Sequence, residues 1–142
     1  LLIQSLQLYG EPIEPPKVKP GPEMISNARN MAVRMQQSAD LIAKLKENPI
    51  PGRAEMQCVW LMKELLRIGV QLTYGRSGRF TRDLYLCYKD FAEYYPDHAD
   101  DMYQVLDLAL NPTSDFDEMT TVRDKLLPLL GSEAKRLGIV SN

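Results

Sequence analysis

The chain has 142 residues, of which 44 % are apolar, 25 % charged and 8 % aromatic, the ordinary composition of one globular domain. Its formal net charge of -2 disfavours a general nucleic-acid-binding surface, because such surfaces are basic. No apolar run approaches the roughly 20 residues that span a bilayer, so we expect no membrane contact. Cys58 and Cys87 lie in apolar stretches and His98 is the single histidine, which predicts reduced thiols, a cytoplasmic protein and no His/Cys zinc site.

The first 22 residues are unlike the rest of the chain. Residues 1–10 are rich in Leu and Ile and predict a short strand that ends at Gly10. They have no initiator Met and no signal-peptide pattern, and we interpret the chain as a piece of a longer protein. Residues 11–22 contain five prolines, which fix φ and remove backbone donors. This segment is typical of an extended, polyproline-like interdomain linker.

Helical spacing of apolar residues begins directly after this linker. The pattern predicts a first amphipathic helix from Pro22 to Glu47, which the Pro-containing segment 48–52 ends. A second helix, from Arg53 to Thr73, is apolar almost all round and is expected to be the central buried helix. A basic, Gly-containing loop should follow over residues 74–80.

Three further helices complete the prediction. The third is expected to be capped by Thr81 and to end at Pro96, where the fourth begins. The last should be capped by Ser114 or Asp115 and be kinked or ended by Pro128. The predicted fold is therefore all-α, an antiparallel bundle of about five helices preceded by a short strand and a Pro-rich linker.

Two acidic clusters resemble metal ligands only in composition. Asp115 and Asp117 form a D-x-D pair, but they lie at the start of a predicted helix. Carboxylates at that position cap backbone N–H groups and interact favourably with the positive end of the helix dipole. The acidic segment 97–101 also opens a helix and has the same interpretation. No nucleotide-binding glycine motif and no nucleophile with a neighbouring base is present, so we predict neither catalytic nor metal-binding residues in this chain.

The densest polar feature is basic. Arg76, Arg79 and Arg82 fall within seven residues next to a predicted helix N-terminus, an arrangement suited to phosphate oxygens. The alternative is that these arginines pair with Asp83, Asp90 or the acidic segment 97–101 and only hold the loop. Arg67 and Lys63, one turn apart on the second helix, could likewise either form an ion pair or line a cleft.

Several short stretches of the chain resemble parts of known proteins. Residues 6–12 have the sequence Leu-Gln-Leu-Tyr-Gly-Glu-Pro, which resembles the closing strand of the core in the minimal nucleotidyltransferase-domain proteins of the DNA polymerase β superfamily. The helical half of such proteins is resembled by residues 65–69, 78–88, 94–96 and 108–112. The resemblance covers the chain from residue 1 to about residue 115 and implies an α/β core followed by a helical domain at the substrate cleft.

The resemblance also implies that catalysis and substrate binding belong to different domains. The Gly-Ser turn and paired carboxylates that bind Mg²⁺ in this family belong to the core, and neither Gly131-Ser132 nor Asp115/Asp117 reproduces them. Residues 1–11 would then be the end of an upstream core, 12–22 the linker and 23–142 the helical domain. Mg²⁺ and a nucleoside triphosphate are expected in the full-length protein, and none bound by this chain alone.

The implied function is to hold substrate for nucleotidyl transfer to an unknown acceptor, without catalysis by the chain itself. Its partners would be the core domain and a nucleotide or small-molecule acceptor. The expected nucleotide- and substrate-binding residues are Arg67, Arg79, Arg82, Tyr85 and Tyr88. The alternative is a non-catalytic, antitoxin-like helical interaction module, with an apolar face on the first helix that would favour a homodimer.

Overall fold

The computed structural model describes residues 21–141, and all regular structure in that range is helical. The all-α prediction is therefore confirmed for this range. The predicted strand, the assignment of residues 1–11 to an upstream core and the linker up to residue 20 lie outside the described residues. No helix within 21–141 is long and apolar enough to cross a membrane.

Within residues 21–141, seven α-helices form a bundle. In chain order they are α1 (Ser26–Arg29), α2 (Met31–Glu47), α3 (Arg53–Gln71), α4 (Tyr74–Ser77), α5 (Leu84–Tyr94), α6 (Ala99–Leu110) and α7 (Phe116–Arg136), with single 3₁₀ turns at Pro22–Ile25 and Pro96–His98. The two helices beyond the expected five are the four-residue helices α1 and α4.

Both short helices correct the sequence prediction. The expected first helix is interrupted at Asn30, whose side-chain Nδ2 donates to the Ser26 carbonyl at 2.9 Å. Asn side chains compete with helical backbone bonding in this way. The segment expected to be a loop from residue 74 forms α4, which ends at Gly78 with a φ of 67° that suits glycine. The true loop is residues 78–83.

Helix α3 lies at the centre, against α2, α5, α6 and α7. Its inward side chains, including Leu61, Met62, Leu65 and Leu66, are fully buried. Gly69 lets two neighbours approach, because a Cβ there would lie 2.7 Å from Met102 Cε and 2.9 Å from Phe91 Cδ1. The expectation of a central buried helix is confirmed.

The helix termini follow side-chain capping. Asp83, not Thr81, caps α5 by accepting from the Leu86 N–H at 2.9 Å, while Thr81 Oγ1 accepts from the Asp83 N–H. Asp115 caps α7 as predicted, since its Oδ1 accepts from the N–H groups of Asp117 and Glu118 at 2.9 and 3.3 Å.

Pro128 does not end α7, which continues to Arg136. Pro128 is exposed, and buried residues on either side of it anchor the helix to the core.

A buried polar network fastens the first helices to α3. The Glu64 carboxylate accepts from Asn27 Nδ2 at 2.6 Å and from Arg34 Nη1 at 2.9 Å. Gln71 donates to Asn27 Oδ1 and accepts from the Ala28 N–H, both at 2.8 Å. Each buried polar side chain of this network thus has a partner, and the network fixes the position of α1 and α2 on α3.

Candidate functional site

The five predicted binding residues lie around one end of α3 and along α5, but they face different ways. Arg67 is on α3, Arg79 and Arg82 are in the loop 78–83, and Tyr85 and Tyr88 are on α5. Because an α-helix turns by about 100° per residue, Tyr88 and Asp90 lie on opposite sides of α5. The basic loop and the tyrosines use these opposite sides.

Arg79 is compensated by two carboxylates of α5. Its Nη2 lies 2.6 Å from Glu93 Oε2 and 3.4 Å from Asp90 Oδ1. Partial burial lowers the pKa of Arg79, but the two carboxylates raise it by more, so that the net change is upward. The pairing with Asp90, weighed above as the alternative to phosphate binding, is present, and a phosphate would have to compete with both carboxylates.

Tyr85 and Tyr88 turn toward α6. Their ring centroids are 6.1 Å apart, and the Tyr88 ring packs edge-to-face on Tyr103 at 5.4 Å. Tyr85 and Tyr103 are each 56 % exposed, whereas Tyr88 lies half-buried between them. The two predicted tyrosines are therefore together, but on the side of α5 away from Arg79.

Arg67 and Arg82 are the other two arginines among the predicted binding residues. Both guanidinium groups are close enough to the Cys87 thiol to lower its pKa electrostatically. Among residues 21–141, neither forms an ion pair with a carboxylate, and the same is true of Lys63. Within the described range, the Arg67 Nε is buried without a hydrogen-bond partner, a costly state for a charged donor. The alternative of an ion pair for Arg67 or Lys63 is not realised in this part of the chain.

Cys87 itself is not a nucleophile. Burial raises the pKa of its thiol to about 11, in spite of the two nearby arginines. Burial also raises the pKa of Cys58. Both cysteines are free and buried, and a thiol that stays protonated neither attacks a substrate nor binds a metal. Both thiols therefore stay protonated at neutral pH.

Arg76, the remaining arginine of the basic segment, has a structural role that the sequence did not reveal. Its Nη2 donates to the Tyr95 hydroxyl at 2.7 Å and to the Leu72 carbonyl at 3.1 Å. The guanidinium lies over the rings of Tyr94 and Tyr95, 4.7 and 5.2 Å from their centroids. This residue joins α4 to α5.

The same contact extends to α7 through Glu133. The Tyr95 hydroxyl donates to Glu133 Oε1 at 2.8 Å, and Arg136 donates to both carboxylate oxygens at 2.7 and 2.8 Å. These hydrogen bonds, those from Arg136 above all, lower the pKa of Glu133 to about 2. The carboxylate is therefore charged throughout the physiological range. Separations of 19 and 38 residues along the chain leave no local sequence signal for such a cluster.

The acidic clusters are helix starts. Asp115 is the cap of α7, and Asp117 lies in its first turn, 3.2 Å from Lys46 Nζ. Asp97, Asp100 and Asp101 lie in the 3₁₀ turn before α6 and in its first turn. Within residues 21–141, no three His, Cys, Asp or Glu side chains are arranged to hold a metal ion.

The comparisons with known proteins identify no family. No protein-family model, curated protein or solved structure matches the chain. The resemblance to nucleotidyltransferase-domain proteins therefore stays a prediction from short motifs.

Proposed function

We propose that this chain is the helical, substrate-side domain of a cytoplasmic nucleotidyltransferase-like protein. In this proposal Arg67 and Arg82 bind phosphate oxygens of a nucleotide, while the carboxylates that hold Mg²⁺ belong to a core outside the chain. Arg79 holds the loop 78–83 against α5 through Asp90 and Glu93, and so places Arg82 indirectly.

One observation supports this proposal more than any other: among residues 21–141, the Arg67 Nε is buried without a hydrogen-bond partner, and no carboxylate lies within ion-pair distance of its guanidinium. A buried charged donor is stabilised when an anion completes its hydrogen bonds. The planar guanidinium matches the spacing of phosphate oxygens and can bind them bidentately. The charge of Arg82 also lowers the pKa of the Cys87 thiol, so Arg82 acts as a second positive charge in this part of the bundle.

The test is titration calorimetry with a magnesium–nucleoside triphosphate. It is run on this chain and on a form extended upstream. We expect binding in the extended form, and replacing Arg67 with Ala should weaken it by about tenfold or more, because a charged hydrogen bond contributes at least 1.5 kcal/mol. Arg53→Ala, which removes an exposed arginine at the start of the same helix, should leave the affinity unchanged. Equal absence of binding in both forms, or an unchanged affinity in Arg67→Ala, would reject the proposal.

A second candidate function is a helical interaction module that forms a homodimer. It is favoured by an exposed apolar area on α2 and α3, where Leu41, Met56 and Trp60 are exposed. Leu41 and Trp60 border a shallow depression of about 160 Å³ that Gln37, Ser38 and Gln57 complete. Exposed apolar areas of this kind mark contact surfaces in soluble proteins.

Sedimentation velocity tests the second candidate. If it is correct, the chain sediments as a dimer at micromolar concentration, and Trp60→Ser shifts it to the monomer, since Trp residues often dominate interfaces. Leu110→Ser, at a similarly exposed apolar residue on α6, serves as the control and should leave the dimer intact. A monomer at all concentrations excludes a dimer through this area.

A further inference from the structure

Phe80 is an exposed aromatic residue within the basic loop 78–83. Its ring meets that of Tyr74 edge-on, with the centroids 4.8 Å apart and the planes at 85°. Tyr74 is buried, whereas Phe80 is 42 % exposed. Because an edge-on contact covers at most one face of a ring, the Phe80 ring has a face that a planar ligand can cover.

The loop holds this ring in a fixed place. The Tyr74 hydroxyl donates to the carbonyl of Thr81, the residue after Phe80, at 2.8 Å. On the other side of Phe80, the Arg79 guanidinium lies 2.6 Å from Glu93 Oε2. Because both chain neighbours of the ring are fastened, little conformational entropy is lost when a ligand covers it.

The arginines proposed to bind phosphate belong to the same part of the bundle. Burial raises the pKa of the Tyr74 hydroxyl, and the positive charge of Arg82 opposes that change. The charges of Arg67 and Arg82 act in the same way on the buried Cys87 thiol. Since Phe80 packs on Tyr74, one exposed ring and two cations border the same pair of buried side chains.

The carboxylates of this region do not neutralise Arg82. Asp90 and Glu93 bind Arg79, at 3.4 and 2.6 Å. The Asp83 side chain caps α5. Among residues 21–141, Arg82 forms no ion pair. Its charge is therefore available to phosphate oxygens.

We propose that Phe80 stacks on the base of a nucleotide whose phosphates are bound by Arg67 and Arg82, an inference that rests on the function proposed above. A planar base and a charged phosphate are the two parts of a nucleotide that an aromatic ring and a guanidinium recognise. Stacking needs only the π face of the base, so Phe80 strengthens binding without selecting one base. Tyr85 and Tyr88, the rings predicted to contact substrate, turn toward α6 instead.

The experiment is titration calorimetry on the form extended upstream, with Mg–ATP and with magnesium tripolyphosphate, which carries the phosphates but no base. Phe80→Leu should weaken ATP binding by about fivefold, the low end for one stacked base, and leave tripolyphosphate binding unchanged. Phe80→Tyr should retain the ATP affinity of the parent. Tyr103→Leu is the matched control, because it removes an exposed aromatic ring from α6, and it should change neither affinity.

The two ligands separate stacking from a structural role of Phe80. An equal loss of affinity for both ligands in Phe80→Leu would overturn the inference, because the ring would then only hold the loop and Arg82 in place. Unchanged ATP binding in Phe80→Leu would also overturn it, while a loss of ATP affinity in Arg67→Ala would still support the proposed function. If neither ligand binds to the parent, the proposed function and this inference are both rejected.

Discussion

Replacing Glu64 with Ala should lower the free energy of unfolding by about 3 kcal/mol, the low end of the range for removing one partner of a buried ion pair. Glu64 is buried at 3 % exposure, and its two oxygens accept from Asn27 and Arg34. Removal of the carboxylate leaves the buried Asn27 amide without its acceptor and Arg34 without its counter-charge. The low end applies because the Arg34 side chain is about a third exposed and can gain water.

The loss should be focused on the first helices. Asn27 is held from both sides, by Glu64 and by Gln71, and Gln71 also accepts from the Ala28 N–H. Hydrogen exchange should therefore become fastest in α1 and the start of α2, before the rest of the bundle opens. Chemical denaturation followed by circular dichroism measures the overall change.

Glu47→Ala is the matched control, because Glu47 is an exposed carboxylate at the end of α2. A negative charge at a helix C-terminus interacts unfavourably with the helix dipole. Its removal should change stability by no more than about 0.5 kcal/mol. A loss in Glu64→Ala no larger than in Glu47→Ala would show that the network contributes nothing to stability.

Local sequence signals predicted most of the fold. Apolar spacing placed α3, α5 and α6 within a few residues, because a buried stripe at a period of 3.6 is a local property of the sequence. Proline and capping residues placed their ends, as at Asp115. The helix boundaries at Asn30 and Asp83 were predicted wrongly, because each depends on one side-chain hydrogen bond. Several neighbouring residues could have formed such a bond, so the sequence alone did not show which one does.

The candidate site was less predictable, because its charged side chains pair with residues that are distant in the sequence. Arg79 could be assigned to phosphate or to Asp90 from sequence alone, and the distance of Glu93 along the chain hides the stronger contact. The separation of the tyrosines from Arg79, in contrast, follows from helical geometry: residues 88 and 90 differ by about 200° around α5. The Glu64 network had one signal, a carboxylate inside an otherwise apolar helix, but its partners come from α1 and α2.

Replacing Gly69 with Val should destabilise the protein by about 3 kcal/mol, the upper end of the usual cost of overpacking a core. A Cβ at Gly69 meets Met102 Cε at 2.7 Å and the Phe91 ring at 2.9 and 3.3 Å. The flexible end of Met102 can move, but Phe91 is fully buried, so its ring has no free space to occupy. Displacing the ring would separate α3 from α5 and α6, and the central position of α3 depends on its contacts with these two helices.

Gly131 offers a matched control inside α7, since a Cβ there meets nothing within 4 Å. Gly131→Ala should stabilise the protein by up to about 1 kcal/mol through helix propensity, while Gly69→Ala should destabilise it although the propensity gain is the same. The opposite signs isolate the steric term, because both substitutions add one methyl group to a helical glycine. Thermal or denaturant unfolding measures the stability of both variants. If Gly69→Ala were stabilised, a Cβ at this position would not meet the Phe91 ring at 2.9 Å, and α3, α5 and α6 would pack less closely here than described.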